Sequence, residues 1–313
     1  MTFSRITGTG GYLPETKLTN QALAETYQLD TSDEWIQQRT GIRARHIAAN
    51  SEDVVSMGVL AARQALTAAN KEPDDIDLII VATCSYETIF PSAACAVQRA
   101  LGITTACTAF DIQAACTGFI YALSIADQFV RAGSAKTVLV IGSETMSRVL
   151  DWQDRATCVL FGDGAGAVLL TAAEKPGILS TELHANGDEG DILSLEKSHF
   201  LAMQGNKVFR FGVTHLAKAL TACLRANQLS VAQLDWFIPH QANIRMIETM
   251  AEKLGFPMDK VIATLHNQGN TSAASIPLAL DFAVRQGHIQ EGHTVLLEAI
   301  GGGVTWGTAL IQF

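Results

Sequence analysis

The chain has 313 residues, 48% of them hydrophobic and 17% charged, with a formal net charge of −9. This length can bury a large core in two domains or two fused halves, while the negative charge argues against a nucleic-acid surface. No apolar run is long enough to span a bilayer, and Met1-Thr2-Phe3-Ser4-Arg5 lacks the basic-then-apolar pattern of an export signal, so a cytoplasmic protein is expected. The six cysteines form no CxxC pair and have no metal-ligand spacing with histidine; reduced thiols and no zinc are expected.

In chain order, apolar β-branched runs alternate with longer helical ones, the pattern of an α/β protein with sheets covered by helices. The expected elements are a strand at Asp77–Thr83, a helix at Ser92–Leu101, a strand-like stretch Ala109–Ile112, a helix at Cys116–Ala132, and strands at Thr137–Ser143 and Ala165–Thr171. A helix at Asn206–Asn227, a strand at Asp235–Pro239, helices at Asn243–Leu254 and Thr271–Gln286, and strands at Thr294–Ala299 and Thr308–Phe313 follow.

The order of pieces repeats. Ile76-Asp77-Leu78-Ile79-Ile80 is echoed by Leu234-Asp235-Trp236-Phe237-Ile238, Val130-Arg131-Ala132-Gly133 by Val284-Arg285-Gln286-Gly287, and Thr137-Val138-Leu139-Val140 by Thr294-Val295-Leu296-Leu297. A fixed order of weak matches predicts a duplication, with halves 1–172 and 173–313 and a seam near 172–176. Gly133 and Gly287 are separated by the same 154 positions as Cys116 and Asn270, so these two residues should start equivalent helices. Packing about a pseudo-twofold axis would bring those helix starts together, with His240 at a strand end reaching the same cavity.

Cys116 follows a strand and opens a helix, where unpaired N–H groups favour a thiolate nucleophile. Cys84, Cys95, Cys107, Cys158 and Cys223 are read as inert packing, and the other seven histidines as surface or packing residues. His240 lies in the polar turn Pro239-His240-Gln241-Ala242-Asn243, which suits a working site. Asn270 can cap its helix or donate hydrogen bonds to a carbonyl oxygen becoming an enolate. An amide is no base, and the second half offers only Cys223, in a helical stretch; a carbanion here is better made by loss of CO2. The run Gly301-Gly302-Gly303 can bend tightly between strands or expose N–H groups to an oxyanion together with the Cys116 N–H. Gly162-Asp163-Gly164-Ala165-Gly166 is read as close packing in the first half.

These motifs, with Thr31-Ser32-Asp33-Glu34-Trp35-Ile36, Arg39-Thr40-Gly41-Ile42-Arg43 and Phe90-Pro91-Ser92-Ala93-Ala94-Cys95, resemble those of the β-ketoacyl-acyl-carrier-protein synthases III of the thiolase superfamily along nearly the whole chain. The resemblance implies a thiolase-like five-layered αβαβα fold from two duplicated halves, a homodimer, and a ping-pong reaction without a cofactor. In it an acyl group, usually acetyl, passes from coenzyme A to Cys116; malonyl-acyl-carrier protein then loses CO2 and attacks the acyl thioester, opening fatty-acid synthesis. By matched position, His240 and Asn270 hold the malonyl thioester oxygen, and Gly302 and Cys116 supply the first oxyanion hole. Trp35 and Arg155 would sandwich the adenine of coenzyme A beside Arg39 and Thr40, and Met203, Gly205, Asn206 and Asn243 would line the pantetheine tunnel. Arg210, Arg245 and Lys253 would dock the acidic carrier protein, and Phe90 would reach across the dimer into the neighbouring acyl pocket. Ile300 and Val304 flank the glycine run where aromatic residues are common in the family, and Gln268 replaces a ring near Asn270. Aliphatic side chains there alter the acyl pocket and leave primer length open. Relatives of altered acceptor or primer are the second enzyme reading; a non-catalytic scaffold would have lost the nucleophile.

Overall fold

The computed structural model describes residues 2–196 and 199–313. Alternation along two buried strands determines the layers. Within Thr137–Thr145, Val138 and Val140 pack to one side with Phe119, Leu123 and Ile276, and Leu139 and Ile141 to the other with Met57, Ala61 and Val97. Within Thr294–Gly301, Val295 and Leu297 join the first of these clusters, while Leu296 and Ile300 enter a third with Leu216 and Met246. Strands that are apolar on both faces must be covered on both, which stacks three cores through the molecule.

The first sheet contains β1 (Phe3–Tyr12), β2 (Leu78–Ala82), β3 (Thr108–Ile112), β4 (Thr137–Thr145) and β5 (Asp163–Ala173), in spatial order β1-β5-β4-β2-β3. The second contains β6 (Ile178–Ala185), β7 (Trp236–Pro239), β8 (Thr294–Gly301) and β9 (Thr305–Gln312), in order β7-β8-β9-β6. β2 runs parallel to β4 as β7 does to β8, and β5 runs antiparallel to β4 as β9 does to β8. The place that β3 holds beside β2 is taken in the second sheet by one parallel bridge, Phe237 to Val261.

Helices α1 (Val54–Ala68) and α2 (Ala93–Leu101) cover the outer face of the first sheet. Between the sheets lie α3 (Gly118–Arg131) and α6 (Ser275–Arg285), and α4 (Gly205–Ala226) packs with α5 (Ile244–Leu254) over the outer face of the second. The five layers are those of the thiolase-like fold. Matched polar contacts mark the two middle helices. Arg131 pairs with Asp127 and Arg285 with Asp281, each at 2.7 Å, and the two aspartates accept from the β1 hydroxyls of Ser4 (2.6 Å) and Thr9 (2.9 Å). Asp77 and Asp235 likewise accept from the first N–H of the neighbouring strand, Thr137 at 2.9 Å and Thr294 at 2.8 Å.

The expected strands and helices are all present within a few residues of their predicted ends. Strands β1 and β6 and helix α1 were not foreseen. β1 reads Phe-Ser-Arg-Ile-Thr-Gly-Thr-Gly-Gly-Tyr, too glycine-rich to show an apolar run. Its glycines serve close packing: a Cβ on Gly10 would lie 2.1 Å from the Ala61 carbonyl oxygen of α1. The Gly162–Gly166 segment does the same, since a Cβ on Gly166 would lie 2.6 Å from the Leu278 nitrogen of α6.

Candidate active site

The chain enters α3 through a tight 3-10 turn, Ala115–Thr117, with Cys116 at its centre. Ala115 has φ +47°, a conformation that costs energy for any residue with a Cβ. Cys116 is only 7% exposed. Burial pushes its thiol up to about 12; the Ser272 hydroxyl and the cysteine's own N–H oppose this, and Glu144 adds to it. The thiolate expected from a helix start is therefore outweighed by desolvation, and the resting group is a thiol.

The start of α6 faces this turn, through a second 3-10 turn, Ser272–Ala274. Asn270 immediately precedes it and is buried. Its Oδ1 accepts the Ser272 N–H at 2.9 Å, so the capping role is real. With the oxygen committed, the amide nitrogen is left to donate into the cavity. His240 follows the end of β7, held by its own N–H to the Glu298 carbonyl at 2.7 Å. Its Nδ1 lies 2.7 Å from the Ser275 hydroxyl on α6. Burial lowers this imidazole to about 4, so it is neutral near pH 7. A proton donated by Ser275 to Nδ1 assigns the ring proton to Nε2, making that nitrogen a donor.

Cys116, His240 and Asn270 line one cavity of about 540 Å³, with Gly302 and Gly303. Met146, Phe161, Leu201, Met203 and Ile300 make much of the wall apolar, and the exposed His199 stands at its edge. The glycine run presses directly on the nucleophile turn: a Cβ on Gly301 would lie 2.6 Å from the Cys116 nitrogen. A buried thiol, two neutral donors and backbone N–H groups around a narrow apolar cavity suit covalent acyl chemistry.

Residues 110–187 match the model of 3-oxoacyl-[acyl-carrier-protein (ACP)] synthase III, and residues 224–313 match its C-terminal model. The chain is 54% identical to a β-ketoacyl-[acyl-carrier-protein] synthase III of Pectobacterium atrosepticum, over 99% of this chain and 100% of that one. It superposes on the crystal structure of 3-oxoacyl-[acyl-carrier-protein] synthase III from Aquifex aeolicus with a TM-score of 0.96, at 45% identity over 99% of this chain and 100% of that one. The chain belongs to the 3-oxoacyl-[acyl-carrier-protein] synthase III family. It is also similar to the priming β-ketosynthase of the R1128 polyketide pathway, with a TM-score of 0.95 and 37% identity over 99% of this chain and 96% of that one.

The other synthase III positions fall in distinct places. Trp35, on the helix Asp33–Thr40, has the Arg155 guanidinium 5.1 Å from its ring centre and that of Arg39 at 5.8 Å. Arg155 thus lies over the face of the indole. Thr40 is a correction. It is buried, donates to the Ile36 carbonyl at 2.7 Å and accepts from the Ile42 N–H at 3.0 Å, so its hydroxyl is occupied in ending the helix. Asn243 caps α5 through the Arg245 N–H (2.9 Å) and donates to the Arg39 carbonyl (3.1 Å), tying α5 to the Trp35 helix. Met203 lines the cavity, and Gly205 and Asn206 form the exposed first turn of α4 beside it.

Arg210 on α4 and Arg245 and Lys253 on α5 are exposed, and Arg245 lies 6.0 Å from the Phe209 ring centre. Lys207, one turn before Arg210, is exposed as well and was not foreseen. Ile300 lines the cavity as expected, but Val304 does not: it is 2% exposed in the core, tied by backbone hydrogen bonds to Asn186. Phe90 is 85% exposed and lies outside the cavity of its own chain.

Cys84, read as inert packing, is a further correction, since it lines the cavity with Ser272. Cys95 is exposed, whereas Cys158 and Cys223 are buried as expected. Glu144, Ser272 and Ser275 were not foreseen; each acts through a contact more than thirty residues away in sequence, as the separations of 128 for Glu144–Ser272 and 35 for His240–Ser275 show. Among the described residues no group of His, Cys, Asp and Glu could hold a metal ion, and no helix is long and apolar enough to cross a membrane.

Proposed function

We propose that this chain condenses an acyl-CoA primer, acetyl-CoA foremost, with malonyl-acyl-carrier protein, releasing CoA and CO2 and opening a round of fatty-acid synthesis. The observation that carries this reading is one cavity lined by Cys116, His240 and Asn270 in a chain of this family. In the first half-reaction Cys116 Sγ attacks the thioester carbonyl, the N–H groups of Cys116 and Gly302 hold the oxyanion, and CoA leaves. In the second, the malonyl group loses CO2 and its electron pair passes into an enolate, which His240 Nε2–H and Asn270 Nδ2–H stabilise. Neutral donors suit this task, because they hold the oxygen without handing over a proton that would quench the carbanion. The enolate carbon then attacks acyl-Cys116 and expels the thiolate.

Trp35, Arg39 and Arg155 receive the adenine by stacking, and Met203, Gly205, Asn206 and Asn243 follow the pantetheine arm. The exposed cations Arg210, Arg245 and Lys253, with Lys207, suit an acidic carrier protein. A homodimer would bury Phe90, placing it at the neighbour's acyl pocket; no cofactor enters the scheme, and the enzyme works in the cytoplasm. The halves 1–172 and 173–313, each with one sheet of like topology, are the products of duplication.

A second primer is favoured by Ile300, an aliphatic wall residue, and by the similarity to a priming synthase of a polyketide pathway. Incubation with a panel of acyl-CoAs and mass analysis should show one acyl group on Cys116, with acetyl preferred. Preference for longer acyl groups would move the assignment to that second role, and no adduct at all would refute the condensing reaction.

A further inference from the structure

His240 and Asn270 have to meet one oxygen, yet they stand on separate segments, each anchored to its own surroundings. His240 hangs from β8 through the Glu298 carbonyl. Asn270 is bridged to another part of the chain: its N–H donates to the Leu160 carbonyl at 2.8 Å, and its carbonyl accepts from the Gly162 N–H at 3.0 Å. Two side chains join the segments. One is Ser275, through His240 Nδ1; the other is Gln241, which is 1% exposed and has no part in the scheme above.

The Gln241 amide makes four hydrogen bonds, all to backbone. Its Nε2 donates to the carbonyls of Pro239 (2.7 Å) and Ile262 (3.1 Å), and its Oε1 accepts from the N–H groups of Thr264 (2.7 Å) and Leu265 (3.2 Å). Two carbonyls on one side and two N–H groups on the other fix which atom is oxygen, and they use the full capacity of a carboxamide. Leu265 opens the one-turn helix Leu265–Gln268, whose own N-cap, Thr264, makes no side-chain bond; Gln241 supplies that cap from the other segment. The turn closes at Gly269, whose N–H returns to the Leu265 carbonyl at 2.9 Å and whose φ of +67° leads the chain into Asn270. On the other side, Pro239 is the residue before His240. The Gln241 N–H points to Ser275 Oγ at 3.5 Å, which leaves the Ser275 proton for His240 Nδ1.

We propose that Gln241 is a positioning residue for decarboxylation, setting the gap between His240 Nε2 and Asn270 Nδ2 so that both reach the same enolate oxygen. The proposal rests on the condensing reaction proposed for this chain. Donors hold an oxyanion well only at about 2.7–3.1 Å from the developing charge, and a misplacement of about 1 Å costs on the order of 100-fold. Among the described residues, the hydrogen bonds of Gln241 reach neither the Cys116 turn nor the glycine run, so acyl transfer to Cys116 is served by parts that it does not hold.

Gln241→Met keeps the length of the side chain and removes all four bonds. In enzyme already acetylated it should lower the maximal rate of CO2 release from malonyl-carrier protein about 100-fold, with KM and the rate of Cys116 acetylation each within about threefold of native. Gln241→Glu, whose carboxyl oxygen still accepts from Thr264 and Leu265, should recover about tenfold of that loss. A rate of CO2 release within about threefold of native in Gln241→Met overturns the proposal. So does an equal loss of acetylation and CO2 release, because a general loss of structure has no preference between half-reactions. Should Gln241→Met not fold, Gln241→Glu decides by the same split: a loss of about tenfold confined to CO2 release supports positioning, and a native rate or a shared loss overturns it. Native enzyme that takes no acetyl group or releases no CO2 would instead refute the condensing reaction. The clamp is then read without substrate from the imidazole 15N resonances of His240: native protein should show the Nε2–H tautomer and the folded Gln241 variant a mixture, and identical spectra overturn it.

Discussion

In the proposed scheme Asn270 serves only the second half-reaction, and its part can be tested without removing the nucleophile. Asn270→Ala removes two things. Its Oδ1 accepts the N–H of Ser272 at 2.9 Å, and Ser272 is 1% exposed, so that donor is orphaned where water does not reach. An orphaned buried N–H costs about 1–3 kcal/mol of stability. Loss of the Nδ2 donor to the enolate should lower CO2 release about 100- to 1000-fold, or about 3–4 kcal/mol of barrier. Asn270→Asp separates the effects, because a carboxylate oxygen still accepts from Ser272 while the donor is gone. Urea unfolding should find both variants weaker than native, Asn270→Asp through its desolvated carboxylate and Asn270→Ala through the orphaned N–H, while both fail to release CO2 from malonyl-carrier protein. Acetylation of Cys116, followed by intact mass, should be near native in Asn270→Asp. Equal loss of acetylation and CO2 release in that variant, or recovery of CO2 release by the carboxylate, would refute the division of labour.

Gly301→Ala would place a Cβ 2.6 Å from the Cys116 nitrogen and 3.0 Å from that of Thr117, shifting the nucleophile turn. An acetylation loss of about 100-fold with an intact circular-dichroism spectrum is expected, and a near-native rate would show that the turn yields. His240 has its folded value lowered to about 4 from 6.5, so the unfolded chain binds more protons between these values. The stability it contributes is complete above 6.5 and lost as pH falls toward 4, by up to about 3 kcal/mol. The native protein minus His240→Asn difference in unfolding free energy should shrink over that window; a flat difference would contradict it. Glu298 is the opposite case, buried on β8 and raised from 4.5 to about 8. The folded chain holds its proton in that window, so stability falls as pH rises from 4.5 to 8. Glu298→Gln should gain on the order of 3–4 kcal/mol over native at pH 8 and nothing at pH 4, measured by denaturant midpoints.

Much of the site was legible along the chain because its chemistry sits in short motifs at element ends. Cys116, His240 and Asn270 each stand where a strand or turn meets a helix, and the spacing of 154 that links Cys116 to Asn270 reappears in the Asp127–Arg131 and Asp281–Arg285 pairs. Alternating and continuous apolar runs likewise announced the buried strands β4 and β8 and the middle helices, since burial on both faces leaves a local mark. Glycine-rich β1 carried no such mark, because its purpose is close backbone approach to α1 rather than side-chain burial. The sequence by itself determined the reactive groups, their order and the doubled α/β plan. Only the tertiary structure decided that Thr40 spends its hydroxyl on its own helix, that Val304 leaves the cavity while Cys84 enters it, and that Glu144 meets Ser272 across 128 residues. The reason is physical: solvent exclusion and hydrogen bonding depend on what lies within a few ångströms in space, and between residues so distant along the chain no periodicity or spacing encodes that proximity.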